Sequence, residues 1–125
     1  MRQKTKNIIG WALTALVALV FIASAFMKLT GGEELANNAA SMGLTANSIK
    51  LIGVIELLCI IVFIVPRTGV LGILLVAAYL GGAIITHVEH NQPFFIPVVV
   101  QALAWIAALI RFPELGKRLA GKATV

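Results

Sequence analysis

Four apolar runs, at residues 8–27, 49–65, 68–87 and 94–110, constrain this chain more than any other feature. Each is close to the roughly 20 residues, with about 17 to 25 tolerated, that carry an α-helix across a hydrocarbon core. A backbone in lipid must satisfy its own hydrogen bonds, and runs of this length do so as helices. With 60% hydrophobic and 12% charged residues and a mean hydropathy of +1.00, the chain is too apolar for a soluble domain. Only short tails and one longer link lie outside the runs. The predicted fold is all-α: residues 1–125 as a single integral-membrane four-helix bundle. The opening MRQKTK, followed by an apolar run ending Ala23-Ser24-Ala25, has the outline of a secretory signal. That run is longer than a signal core, so we read it as the first span.

The formal charge is +5 and the pI about 9.9. In a membrane protein, basic residues first report orientation, because cytoplasmic ends collect Lys and Arg. With both termini inside, Arg2, Lys4, Lys6, Arg67, Arg111, Lys117, Arg118 and Lys122 fall inside and only Lys28 and Lys50 outside. The expected topology is therefore N-in, C-in, in a bacterial cytoplasmic membrane. Anionic lipid headgroups, not nucleic acid, are the expected partners of the inner charges.

The single cysteine, Cys59, lies mid-span, so no intramolecular disulfide or Cys-x-x-Cys redox pair can form, and it reads as a small packing residue. Pro66-Arg67-Thr68-Gly69 predicts a tight inner turn, with Pro66 ending one helix and Gly69 supplying backbone freedom. Residues 90–93 form an equally short outer link, Pro93 or Pro97 suits the first turn of the last span, and Pro113 stops that span. Trp11 and Trp105 read as interface or packing aromatics near the inner side. In the third span, Ala77 with Gly81 and Ala78 with Gly82 form small-xxx-small pairs, which allow close approach of another backbone within the chain or between chains.

The outer link, residues 28–48, leaves two readings open. Leu35, Ala36, Ala39, Ala40 and Met42 follow Glu33-Glu34 at roughly helical spacing, as in a short helix lying on the membrane surface and covering the outer ends of the bundle. The alternative is a disordered polar loop, since Asn37-Asn38 and the flanking glycines are poor helix material.

Within the stretch GVIELLCIIVFIV, residues 53–65, Glu56 is the only charged residue. A carboxylate near mid-membrane costs about 3 kcal/mol on insertion scales, so it should face the bundle interior and a partner. At 1.5 Å per residue Glu56 lies about 10 Å below the outer end of its helix, with Tyr79 and Gln101 at similar depths in theirs. Tyr79, Ala83, Thr86 and His90 run up one face of the third span, with His87 beside it, and Ser24 and Lys28 are one turn apart in the first. These positions predict a polar cup open to the outside, formed by Ser24, Lys28, Glu56, Tyr79, Thr86, His87 and Gln101, with Lys28 and His87 as partners of the acid. Depth alone also permits the third and fourth helices to turn their groups apart. A Lys28–Glu56 ion pair that only fixes helix register is the competing structural reading. His87 and His90, in HVEH, lack a clear third ligand, so no metal site is expected. Both lie on one helix, which also disfavours haem ligation.

The first span ending Ser24-Ala25-Phe26-Met27-Lys28-Leu29, Gly53 and Glu56 in the second, and Leu80-Gly81-Gly82-Ala83 with His87 in the third together resemble the DoxX-like family of small four-helix membrane proteins. The resemblance covers nearly the whole chain, through short and degenerate motifs. It implies an inner-membrane bundle related to subunits of terminal oxidase and thiosulfate:quinone oxidoreductase systems, with the family's polar positions falling on Lys28, Glu56 and His87. Some relatives are linked to oxidative stress or to quinone and catechol handling. Membership does not fix the chemistry.

Three functions compete. A quinone-interacting, oxidoreductase-associated subunit would hydrogen-bond a quinone through Lys28, Tyr79 or Gln101 and exchange protons through Glu56 or His87, with a bound quinone or a redox partner subunit supplying the electron chemistry. A proton-coupled transporter of small apolar or cationic compounds would use Glu56 as the site where proton and cargo compete, although Lys28 stands ready to occupy it. A noncatalytic scaffold would use the ion pair for stability and bind another membrane protein or a second copy of itself.

Overall fold

The computed structural model describes residues 2–122. Its helices are α1 (Gln3–Thr30), α2 (Glu33–Ser41), α3 (Ala46–Ile64), α4 (Gly69–Glu89), α5 (Phe95–Arg111) and α6 (Pro113–Leu119), with a 3-10 turn at Pro66–Thr68 before α4. No strand occurs among the described residues.

Each long helix buries one helically spaced stripe. On α1 it comprises Gly10, Thr14, Val17, Phe21 and Ala25; on α3, Ile49, Gly53, Glu56, Ile60 and Phe63. On α4 it includes Gly72, Ile73, Val76 and Leu80, and on α5, Pro97, Val100, Ala104 and Ala107. The opposite faces are just as apolar, with Leu19, Ile22, Phe26, Leu58, Leu74 and Ile106 all exposed. A helix apolar all round belongs in lipid, which covers the face that water would otherwise meet. The helices form a ring in which α1 and α4 lie on opposite corners, each packed against both α3 and α5.

Helices α1, α3 and α4 are long and apolar enough to cross a membrane, and α5 with α6 makes a fourth candidate span broken by a 110° bend. At 17 residues, or roughly 25 Å, α5 is near the lower limit for a span. The break falls where Pro113 cannot continue α5 and instead occupies the first position of α6, so this proline starts a second short helix as well as stopping the first.

Gly10 near the start of α1 lies beside Ile110 and Arg111 at the end of α5, so both ends of the four-helix ring meet at one end of the bundle, the terminal end. The α3–α4 turn is there too. Thr68 holds it by donating from Oγ1 to the Val62 carbonyl at 2.8 Å. The reason for Gly69 differs from the sequence expectation. Its φ of −63° is ordinary helix, and the requirement is space, because the Phe112 ring sits where a Cβ would be. One turn later Gly72 packs directly against the backbone of Phe63 and Val62, clamping α3 to α4 at this end.

At the far end, the link between α1 and α3 contains a short helix. It is α2, bounded by Gly31 and Gly32 before it and Gly43 after it, all at positive φ. Only Ala39 of α2 is buried, and the helix packs on α3. Thr45 then caps α3 by accepting from the Ser48 amide at 3.1 Å.

Candidate functional site

Glu56 sits on the buried stripe of α3 and is 3% exposed. Lys28 is three residues beyond Ala25 on the buried stripe of α1, and its Nζ donates to Glu56 Oε1 at 2.9 Å and to the Ser24 hydroxyl. This contact depends on Gly53. A Cβ there would lie 3.0 Å from Lys28 Cβ and 3.3 Å from the Ala25 carbonyl oxygen, so glycine lets α3 approach α1 one turn from Glu56. Tyr79 on α4 is steadied by the Phe21 ring of α1, centroids 5.5 Å apart.

Above this ion pair lies a cavity of about 380 Å³. Lys28 forms part of its wall. From α4 come Tyr79, Thr86 and His87 with the small residues Ala78, Gly82 and Ala83; from α3 come Ile49 and Ile52; Met42 and Leu44, just after α2, complete it. The lining is mainly apolar with a few polar groups, the usual character of a small-molecule site. The Thr86 hydroxyl donates to the Gly82 carbonyl at 2.8 Å, leaving its lone pairs available. His87 Nδ1 lies 2.6 Å from the Ala83 carbonyl oxygen, so that nitrogen carries a proton and Nε2 is left for another partner.

The predicted cup is thus divided. Lys28, Tyr79, Thr86 and His87 line the cavity; Glu56 and Ser24 do not, and hold Lys28 from behind. His87 bonds to its own helix, and Lys28 is the ion-pair partner of Glu56. Gln101 is turned elsewhere: its Nε2 donates to the Ala77 carbonyl at 3.3 Å, and its Oε1 accepts from Trp105 Nε1 at 3.1 Å. Its depth matched the cup, but its angular position, next to Val100 on the buried stripe of α5, points it at α4. His90 Nδ1 lies 2.9 Å from the Thr86 carbonyl oxygen, and no group of three His, Cys, Asp or Glu residues among the described residues is placed to hold a metal.

The small-xxx-small residues of α4 do not seat another backbone within the chain. Gly81 and Gly82 meet no neighbouring element within 4 Å of where a Cβ would be, and Ala78 and Gly82 are exposed and border the cavity.

A second polar cluster, at the terminal end, was not visible in the sequence. Arg111 donates from Nη1 to Thr14 Oγ1 and from Nη2 to the Ile64 carbonyl, both at 3.3 Å. Its guanidinium lies 4.1 Å from the centroid of Trp11, 5.0 Å from Phe63 and 4.8 Å from Phe112. It ties α1, α3 and α5 together and places positive charge at the C-terminal carbonyls of α3, where the helix dipole favours it. An arginine at the end of an apolar run reads in sequence only as an orientation signal.

The model of the DoxX-like family matches residues 12–109, a segment that includes Lys28, Gly53, Glu56, Tyr79 and His87. No curated protein and no solved structure matches the chain.

Proposed function

The chain belongs to the DoxX-like family, and from that premise we propose that it is a quinone-binding subunit of a membrane oxidoreductase, with the cavity beside Lys28 as the site for the quinone ring. One observation carries this reading: a mainly apolar cavity of about 380 Å³ has at its wall an ammonium group already neutralised by Glu56 and, across from α1, a histidine with Nε2 uncommitted. Two of the three Lys28 protons are engaged by Ser24 and Glu56, which leaves one to donate to a quinone carbonyl. Without Glu56 the same charge would be costly at this depth. A hydroquinone hydroxyl finds its acceptor in His87 Nε2. The chain binds and orients the ring, and electrons come from a partner redox subunit. The predominance of basic residues at the terminal end supports a cytoplasmic position for that end, with the cavity opening to the outer half of the membrane.

A second reading is favoured by a specific feature of the pair. Glu56 does not touch the cavity, and the bond from α1 to α3 would hold a noncatalytic bundle equally well. The test separates the two. Protein purified in mild detergent from a quinone-containing membrane is extracted for mass spectrometry, alongside the double variant Lys28→Met/Glu56→Leu. An apolar pair of similar volume commonly preserves stability where a lone charge does not. Near-stoichiometric quinone in the wild type, lost from the folded double variant, is expected. Only bulk lipid in the wild type would overturn the quinone reading and leave the scaffold.

A further inference from the structure

Helices α3 and α4 touch at one end and part at the other. At the terminal end Gly72 packs on the backbone of Phe63 and Val62. At the far end Gly82 has nothing within 4 Å of a Cβ position, and the space beside it is the cavity. Two residues of the wall, Ala78 and Gly82, are exposed, whereas every other residue of the wall is buried or half-buried. They are one helical turn apart on the same face. The cavity therefore has a side opening framed by residues too small to close it.

The depth of that opening decides what it faces. On α4, Ala78 lies nine residues after Gly69 and eleven before Glu89, roughly 14 and 17 Å along the helix. This is near the middle of a hydrocarbon core about 30 Å thick, among lipid tails. The polar wall groups Thr86 and His87 lie just over one turn beyond Gly82, and more than two beyond Ala78, toward the far surface. Over that end Met42 and Leu44, both partly buried, form part of the wall and leave an apolar cover toward the water.

Resting on the quinone reading above, we propose that the ligand enters and leaves sideways from the bilayer through the gap at Ala78 and Gly82, and that the site selects a membrane-dissolved ligand with a polar ring and a long apolar tail. The ring occupies the cavity near Lys28 and His87. The tail, which a space of about 380 Å³ cannot also hold, passes out between the small residues and lies among the lipid chains. The exposed small-residue face of α4 is thus a mouth, not a helix-packing seam.

The test compares two probes, a benzoquinone with a long isoprenoid tail and its tail-less analogue, titrated into protein in lipid nanodiscs. Variants Gly82→Leu and Ala78→Leu narrow the mouth. Gly81→Leu adds the same bulk to α4 at a position that does not line the cavity, and thermal midpoints verify folding. In Gly82→Leu the long-tailed probe should bind at least tenfold more weakly, while the tail-less probe changes by less than threefold and Gly81→Leu binds both as wild type. Ala78→Leu keeps the test available if Gly82→Leu does not fold. Equal losses for both probes would mean that leucine fills the cavity, and unchanged binding of both would mean that the tail runs elsewhere; either overturns the mouth. Unchanged binding with a shift in oligomeric state would assign this face to a second copy and overturn it too. Wild-type protein that binds neither probe would instead overturn the quinone reading, and the sideways route with it.

Discussion

Lys28 on α1 and Glu56 on α3 meet at 2.9 Å with their side chains 20% and 4% exposed, so the acid is buried under its partner and the base alone reaches the cavity. The pair is therefore asymmetric. Glu56 sets the charge balance and position of Lys28, and Lys28 presents the remaining proton.

Removing one member should be worse than removing both. Glu56→Gln leaves an ammonium group without its counter-charge, and we expect a loss of about 2 to 3 kcal/mol, somewhat below the 3 to 5 typical of fully buried pairs because Lys28 is part exposed. The Lys28→Met/Glu56→Leu double variant should recover most of it. Thermal unfolding in one detergent ranks the proteins, and a double variant less stable than Glu56→Gln would contradict the account.

Gly53→Ala pits two effects against each other. Alanine favours the helix by roughly 1 kcal/mol. Its Cβ would also press on Lys28 Cβ and on the Ala25 backbone carbonyl, which cannot rotate away, and overpacking costs about 1 to 3 kcal/mol. A lowered thermal midpoint together with weaker quinone retention is expected, since separating α1 from α3 moves Lys28. A midpoint at or above wild type would show that the helices yield easily.

On α4, where it packs against the other end of α3, the same substitution should be more damaging. Gly72→Ala drives a methyl group into the backbone of Phe63, with no side chain to move aside, and about 3 kcal/mol or more should be lost. Gly81→Ala, which meets nothing, is the matched control. Yields of monodisperse protein by size exclusion should separate the two variants clearly.

Arg111→Lys keeps the charge and should still destabilise by about 2 kcal/mol. A lysine cannot reproduce the planar fork that reaches Thr14 and the Ile64 carbonyl while stacking on Trp11. If thermal denaturation of Arg111→Lys matched wild type, charge alone would account for the clasp.

Orientation can be checked with cysteines, because Cys59 is buried. In vesicles that preserve the cellular orientation, an impermeant maleimide should label Asn37→Cys on exposed α2 and spare Lys117→Cys on α6 until the membrane is opened. The reverse pattern would place the cavity toward the cytoplasm.

The four apolar runs and the single acid within a span were legible in the sequence because each rests on local information: length, composition, depth and helical spacing. The short helix after Glu33-Glu34 was one of two open readings, and Lys28 one of two candidate partners for the acid. These local features fixed which groups share a level in the membrane. They did not fix the rotation of one helix against the next, which is set by ring packing across the whole bundle. That rotation turned Gln101 toward the Ala77 carbonyl, withdrew Glu56 behind Lys28 and brought Arg111 among Trp11, Phe63 and Phe112. The glycines make the same point. Gly69, Gly72 and Gly82 are alike as letters, yet one accommodates a ring, one a backbone and one the edge of a cavity. A missing side chain has meaning only when its neighbour is known, and the neighbour is supplied by tertiary structure.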